Sequence, residues 1–152
     1  GTLIDEDAAR RIENWVQEAK SQGANILCGG TREGAAFAPT LLNGVSADMK
    51  VVCGEVFGPV ASVVSYEDLD EAVSAVNASP YGLQCGVFTD STKTALSLAR
   101  KIRTGGVIIN GSSTWRTDQL AYGGVKDSGL GREGPRYAIR DMTEERLILF
   151  NY

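Results

Sequence analysis

Glu55 and Phe57 stand two residues apart in the segment Gly54-Glu55-Val56-Phe57-Gly58-Pro59, between two apolar stretches. A carboxylate accepts two hydrogen bonds at once and so suits a ribose diol, while a ring beside it can pack against a flat heterocycle. An exposed Glu next to a core Phe would look the same at this level, and the residues alone leave both open. A second concentration lies between residues 105 and 134, which hold eight of the 18 glycines. Such backbone takes positive φ or approaches a ligand closely, and α/β folds place loops of this kind after the carboxyl ends of strands. A long connecting loop would have the same composition. Within it, Gly129-Leu130-Gly131-Arg132-Glu133-Gly134 formally spells GxGxxG. A dinucleotide fingerprint needs a strand directly before it inside a βαβ unit, and residues 123–128 are turn-like and polar, so we reject that assignment.

Several chemistries are excluded outright. The chain has no histidine, which removes Ser-His and Cys-His nucleophile pairs, HExxH zinc sites and imidazole switches from within it. The three cysteines, Cys28, Cys53 and Cys85, form no CxxC pair, so no metal site is expected, and the sparse odd count suits a reducing compartment. Cys85, in Gln84-Cys85-Gly86, invites a nucleophile assignment, but no imidazole is present to deprotonate it. A buried strand thiol is the structural alternative for it, as for Cys28 and Cys53. Arg132, Arg136 and Arg140 recur every four residues and read as a solvated basic helix face. A net charge of −4 argues against a nucleic-acid footprint and against anionic membranes. No apolar run approaches the roughly 20 residues of a membrane span. A soluble, cytoplasmic protein is the expectation.

The elements that must carry these residues follow from periodicity. Asp5 is an N-cap for a helix over about 6–22, with Ala9, Ile12, Val16 and Ala19 on one face and Gly23 as its stop. Short apolar runs at 25–28 and 40–42 follow. Residues 60–65 read as a strand, and Asp68 with Glu71 starts a helix to about Asn77 that Pro80 forbids from continuing. Residues 85–89 form the next strand. Asp90 or Ser91 caps a helix carrying Ala95, Leu98, Ala99 and Ile102, which Gly105-Gly106 should end, and residues 107–110 make a third strand. Strands alternating with single helices predict an α/β fold with a mainly parallel sheet and crossover helices. Residues 147–150 read as a closing strand that pairs either with another element or with another subunit. The 152 residues, 43% hydrophobic, fit a single domain that needs no disulfide or metal. An opening at Gly1 that runs almost directly into a helix is more natural for a fragment than for a whole gene product.

Three separated motifs now share a pattern: Glu55-Val56-Phe57-Gly58-Pro59-Val60; Ser79-Pro80-Tyr81-Gly82-Leu83 with Gly86-Val87-Phe88-Thr89; and Gly123-Gly124-Val125-Lys126 with Ser128-Gly129-Leu130-Gly131-Arg132-Glu133-Gly134. In order and spacing they resemble the NAD(P)-dependent aldehyde dehydrogenase superfamily, over the C-terminal part of its catalytic domain. The resemblance implies residues 1–143 as a partial catalytic domain and 144–152 as an oligomerisation strand. It implies oxidation of an aldehyde to its acid through a cysteine thiohemiacetal, with NAD or NADP as hydride acceptor. It places the nucleophile, the principal general base and most of the nucleotide-binding domain before Gly1, so the fragment alone should be inactive. By the same resemblance Glu55 holds the nicotinamide ribose hydroxyls, Phe57 positions the nicotinamide ring, and Glu133 is an ancillary proton relay, or else a structural carboxylate paired with Arg132. Tyr122 stands where a Phe is usual, on the wall of the substrate tunnel, and hints at a polar aldehyde. The insert Gly111–Asp118 is similar to that of the lactaldehyde, succinate-semialdehyde and non-phosphorylating glyceraldehyde-3-phosphate branches, which makes Arg116 an anion clamp for the substrate tail. Cys53-Gly54 and Cys85 depart from the usual pattern. The implied partners are a small aldehyde, the rest of the enzyme and further copies of it, with no nucleic acid or membrane. The rival expectation is a non-catalytic binding or assembly module of the same fold.

Overall fold

A computed structural model describes residues 1–152. The chain divides into two compact units, Gly1–Tyr66 and Glu67–Tyr152, each with its own apolar cluster.

In the first unit, helix α1 spans Glu6–Ser21, and Asp5 caps it by accepting from the Ala8 amide at 2.7 Å. Ala9, Ile12, Val16 and Ala19 are its buried face, as their spacing requires. Gly23 takes a φ of +108°, which lets the Ala24 amide return to the Ala19 carbonyl and stop the helix. Strand β1 (Asn25–Cys28) pairs antiparallel with β4 (Thr40–Asn43), and β4 pairs parallel with β5 (Val60–Val63). The short hairpin β2 (Arg32–Glu33) and β3 (Ala36–Phe37) lies between the first two in sequence, and helix α2 (Lys50–Cys53) between the second two. Leu42, Val16 and Ile12 are fully buried at the centre.

In the second unit, α3 (Leu69–Ala78) is capped by Asp68, which accepts from the Glu71 amide while Glu71 accepts from the Glu67 amide. Strand β6 (Gln84–Val87) leads to α4 (Thr92–Lys101), capped by Ser91, and on to β7 (Gly106–Ile109), which pairs parallel with β6. Val73, Val87, Leu98 and Ile102 form the core. Helix α5 spans Pro135–Asp141, with proline in the first turn where its missing N–H costs nothing.

The α/β class therefore holds, with three corrections. The strands form three small sheets rather than one mainly parallel sheet, and two of the four pairings are antiparallel. Helix α4 stops at Lys101 because Ile102 turns extended to enter the core, and Gly106 opens β7 instead of ending the helix. Ala99 faces solvent. Residues 147–150 pair with no strand of this chain and lie exposed. No helix is long and apolar enough to cross a membrane.

Candidate functional site

The Glu55–Phe57 turn is fastened to α1 at three successive points. Gly54 sits against the ring of Trp15, Arg11 donates to the Val56 carbonyl at 2.7 Å, and a Cβ at Gly58 would overlap Ile12 Cδ1. Arg11 itself lies 4.8 Å over the Trp15 ring, so the donor is held in place. On the far side of the turn the Thr40 amide donates to the Pro59 carbonyl at 2.8 Å. The backbone is fixed while the side chains stand free: Glu55 is exposed, makes no hydrogen bond within the chain, and Phe57 is 77% exposed. Phe57 also has a φ of +49°, a left-handed conformation that costs a non-glycine residue about 1–3 kcal/mol. An exposed aromatic held in a strained conformation is not explained by core packing, so the core-Phe alternative fails.

In the second unit the structure brings Arg116, Tyr122 and Glu133 together. Tyr122 and Glu133 exchange backbone hydrogen bonds, with the Tyr122 amide reaching the Glu133 carbonyl at 3.1 Å and the return bond at 2.6 Å. Arg116 lays its guanidinium 4.3 Å from the centre of the Tyr122 ring and donates from Nη2 to Glu133 Oε2 at 3.1 Å. Glu133 therefore pairs with Arg116 and not with Arg132, whose Nη1 caps the Gly124 and Gly131 carbonyls. Arg132 also precedes α5, which removes it from the expected helix face. Arg116 and Tyr122 line a cavity of about 60 Å³ together with Gln84, Trp115, Leu120 and Gly123.

The loop bearing Tyr122 is stapled to the turn after α3. The Gly82 amide donates to Ser128 Oγ at 2.9 Å, Val125 and Gly105 both donate to the Gly82 carbonyl at 3.0 Å, and Asp127 donates to the Pro80 carbonyl at 3.0 Å. Gly105 packs so closely on the Gly123 carbonyl that any Cβ there would collide with it. Lys126, at a φ of +56°, donates from Nζ to the carbonyls of Asn77 and Ser79 at 3.0 and 2.9 Å and reaches toward that of Tyr81. The Asn77 and Ser79 carbonyls belong to the end of α3 and its C-cap, where a cation is favoured.

Sequence reasoning missed three contributors. Gln84 donates from Nε2 to the Trp115 carbonyl at 3.0 Å, tying the insert to β6, and its Oε1 is buried without a partner. The only signal was a polar residue opening an apolar strand. Arg11 and Lys126 act through backbone carbonyls, which side-chain types do not advertise. Cys85 is half-buried, and burial pushes its thiol up, the opposite of what a nucleophile requires. Cys28 and Cys53 are exposed rather than buried. The GxGxxG run follows a 3₁₀ turn at Lys126–Ser128 rather than a strand, in keeping with its rejection. No group of three or more His, Cys, Asp or Glu is placed to hold a metal.

The sequence profile of the Aldehyde dehydrogenase family matches residues 1–148, and the chain belongs to that family. It is 50% identical over 151 residues to a 3-sulfolactaldehyde dehydrogenase of Priestia aryabhattai, a match covering 99% of this chain and 32% of that protein. Its fold matches aldehyde dehydrogenase 21 of Physcomitrella patens, crystallised with the reaction product succinate, at a TM-score of 0.92 and 44% identity, over 95% of this chain and 30% of that one. It also matches a glyceraldehyde-3-phosphate dehydrogenase of Methanocaldococcus jannaschii complexed with NADP, at a TM-score of 0.87 and 38% identity, over 93% of this chain and 31% of that one. The chain thus spans about a third of the length of the curated relatives it matches.

Proposed function

We propose that this chain is the part of an NAD(P)-dependent aldehyde dehydrogenase that seats the nicotinamide end of the cofactor and receives the polar tail of a small anionic aldehyde, which the complete enzyme oxidises to a carboxylic acid. The nicotinamide, when bound, supplies the hydride acceptor. Glu55 fits its ribose, because both carboxylate oxygens are exposed and unengaged on a turn pinned at Gly54, Val56 and Gly58. Two hydroxyls of a diol can donate to those oxygens at once, and Phe57 presents its ring from the same turn. NAD and NADP share this end of the molecule, and both satisfy the reading.

Arg116 binds the substrate tail. Its guanidinium keeps donors beyond the one that Glu133 engages and lies against the Tyr122 ring, so a carboxylate or phosphate meets a fork held from two sides. The Tyr122 hydroxyl adds a polar group beside it. Glu133, reachable from solvent, can hold a proton at its second carboxylate oxygen during acid release. The thiol nucleophile and the principal general base come from the remainder of the enzyme, in keeping with a Cys85 whose thiol is pushed up by burial. On this reading the chain alone does not turn over aldehydes.

The observation that carries the proposal is the convergence of Arg116, Tyr122 and Glu133 beside one cavity in a chain of this family. Steady-state kinetics of the complete enzyme on butyraldehyde and succinic semialdehyde test it. Arg116→Leu should raise KM for the anionic aldehyde about tenfold more than for the neutral one, since a charge-assisted hydrogen bond contributes roughly 1.5–3 kcal/mol. Equal effects on both would leave Arg116 a structural residue, and absence of any NAD(P)-dependent turnover would return the non-catalytic module.

A further inference from the structure

We infer that Glu133 is a specificity-determining residue that acts through Arg116, holding back aldehyde tails in proportion to their negative charge. This rests on the reading of Arg116 as the anion clamp. Among the residues lining the cavity Arg116 is the sole cation, so the attraction offered to a tail from this wall comes from one guanidinium. Glu133 Oε2 lies 3.1 Å from its Nη2 and offsets part of that charge at the point where a tail would dock.

The pairing is built rather than incidental. Tyr122 and Glu133 are backbone partners, so the residue that stacks on the guanidinium and the residue that neutralises it are set side by side by the same pair of hydrogen bonds. The Tyr122 ring supports the guanidinium from a second side, its centre 4.3 Å away. With the ring as a second support, what Glu133 contributes to selection of the tail at the guanidinium is its charge. Within this chain both side chains are partly exposed, 43% and 67%, and the effect is sized as that of a surface pair.

Coulomb energy is linear in the charge of the tail. Removing the negative charge of Glu133 should then multiply binding of a monoanion by one factor and binding of a dianion by the square of that factor. A merely structural carboxylate does not produce that relation, and neither does a proton relay. The relay works during acid release, after hydride transfer, so its loss lowers kcat and leaves kcat/KM ratios between substrates alone.

The test is Glu133→Gln in the complete enzyme, an isosteric change that keeps a hydrogen-bond acceptor and removes the charge. The quantity read is kcat/KM, variant over wild type, for butyraldehyde, succinic semialdehyde and glyceraldehyde 3-phosphate. Relative to the neutral aldehyde, the expected gain is about threefold for the carboxylate and about tenfold for the phosphate. Equal factors for all three substrates, or a loss on the anions, would overturn the inference. Arg116→Leu, measured in parallel, separates the two levels. If it penalises the anions selectively while Glu133→Gln does not favour them, this inference alone fails; if it affects all three substrates equally, the clamp itself is wrong.

Discussion

Phe57, Asn110 and Lys126 are the three non-glycine residues at positive φ, and each is held there by something specific. Asn110 locks itself by an amide that donates to the Thr89 carbonyl and accepts from the Thr89 amide. Lys126 is held by the carbonyls at the end of α3. Phe57 has no such side-chain bond, and its neighbours hold it: Arg11 on the Val56 carbonyl, and Gly58 against Ile12, where a Cβ would overlap Cδ1. The strain at Phe57 thus presents a ring to the outside. At this scale the sharpest prediction concerns its neighbour Glu55. With two charge-assisted bonds to a diol at stake, Glu55→Ala in the complete enzyme should weaken the dissociation constant for the nicotinamide cofactor at least tenfold, read by quenching of protein fluorescence or by calorimetry. Unchanged affinity and turnover would remove Glu55 from the cofactor site.

Between elements, the Gly123–Ser128 loop depends on the turn that follows α3, and Lys126 is the one side chain spanning them with a charge. Its ammonium answers carbonyls left open where Pro80 forbids the helix from continuing. Lys126→Met keeps the unfavourable backbone conformation and loses the bonds, a cost of about 1–2 kcal/mol. In the complete enzyme, hydrogen exchange should speed up about tenfold in peptides covering both 77–82 and 123–128, with Lys126→Gly slower than Lys126→Met because glycine adopts that φ freely. Protection equal to wild type in both variants would show the loop to be held by Ser128, Val125 and Asp127 without it. The elements themselves were legible where the period was strong. Helix α1 follows from Asp5, its four apolar positions and Gly23. The pairing of β1 was not legible, because Asn25–Cys28 is too short to state a direction and its partner β4 comes after an intervening hairpin.

For the whole molecule, the segment after α5 has no place within this chain. Leu147, Ile148, Leu149 and Phe150 are 66–89% exposed in consecutive positions, an apolar stretch that water does not favour. Strand-forming residues with unpaired backbone are a template for another edge. As the family resemblance implies, we expect that edge to come from a second copy. Removing residues 144–152 from the complete enzyme should lower its mass in analytical ultracentrifugation to that of a smaller oligomer, and an unchanged mass would dismiss the segment as an oligomerisation element. The helix caps and the alternation of apolar runs with helices were enough to predict the α/β class, and the three spaced motifs carried the resemblance to the family, because those properties are local and survive without knowledge of the fold. The convergence of Arg116, Tyr122 and Glu133 was decided only by tertiary structure. Seventeen positions separate Arg116 from Glu133, and no periodicity in a glycine-rich loop states which carboxylate a guanidinium will meet: that follows from backbone bonds between Tyr122 and Glu133 that form only once the chain has closed on itself.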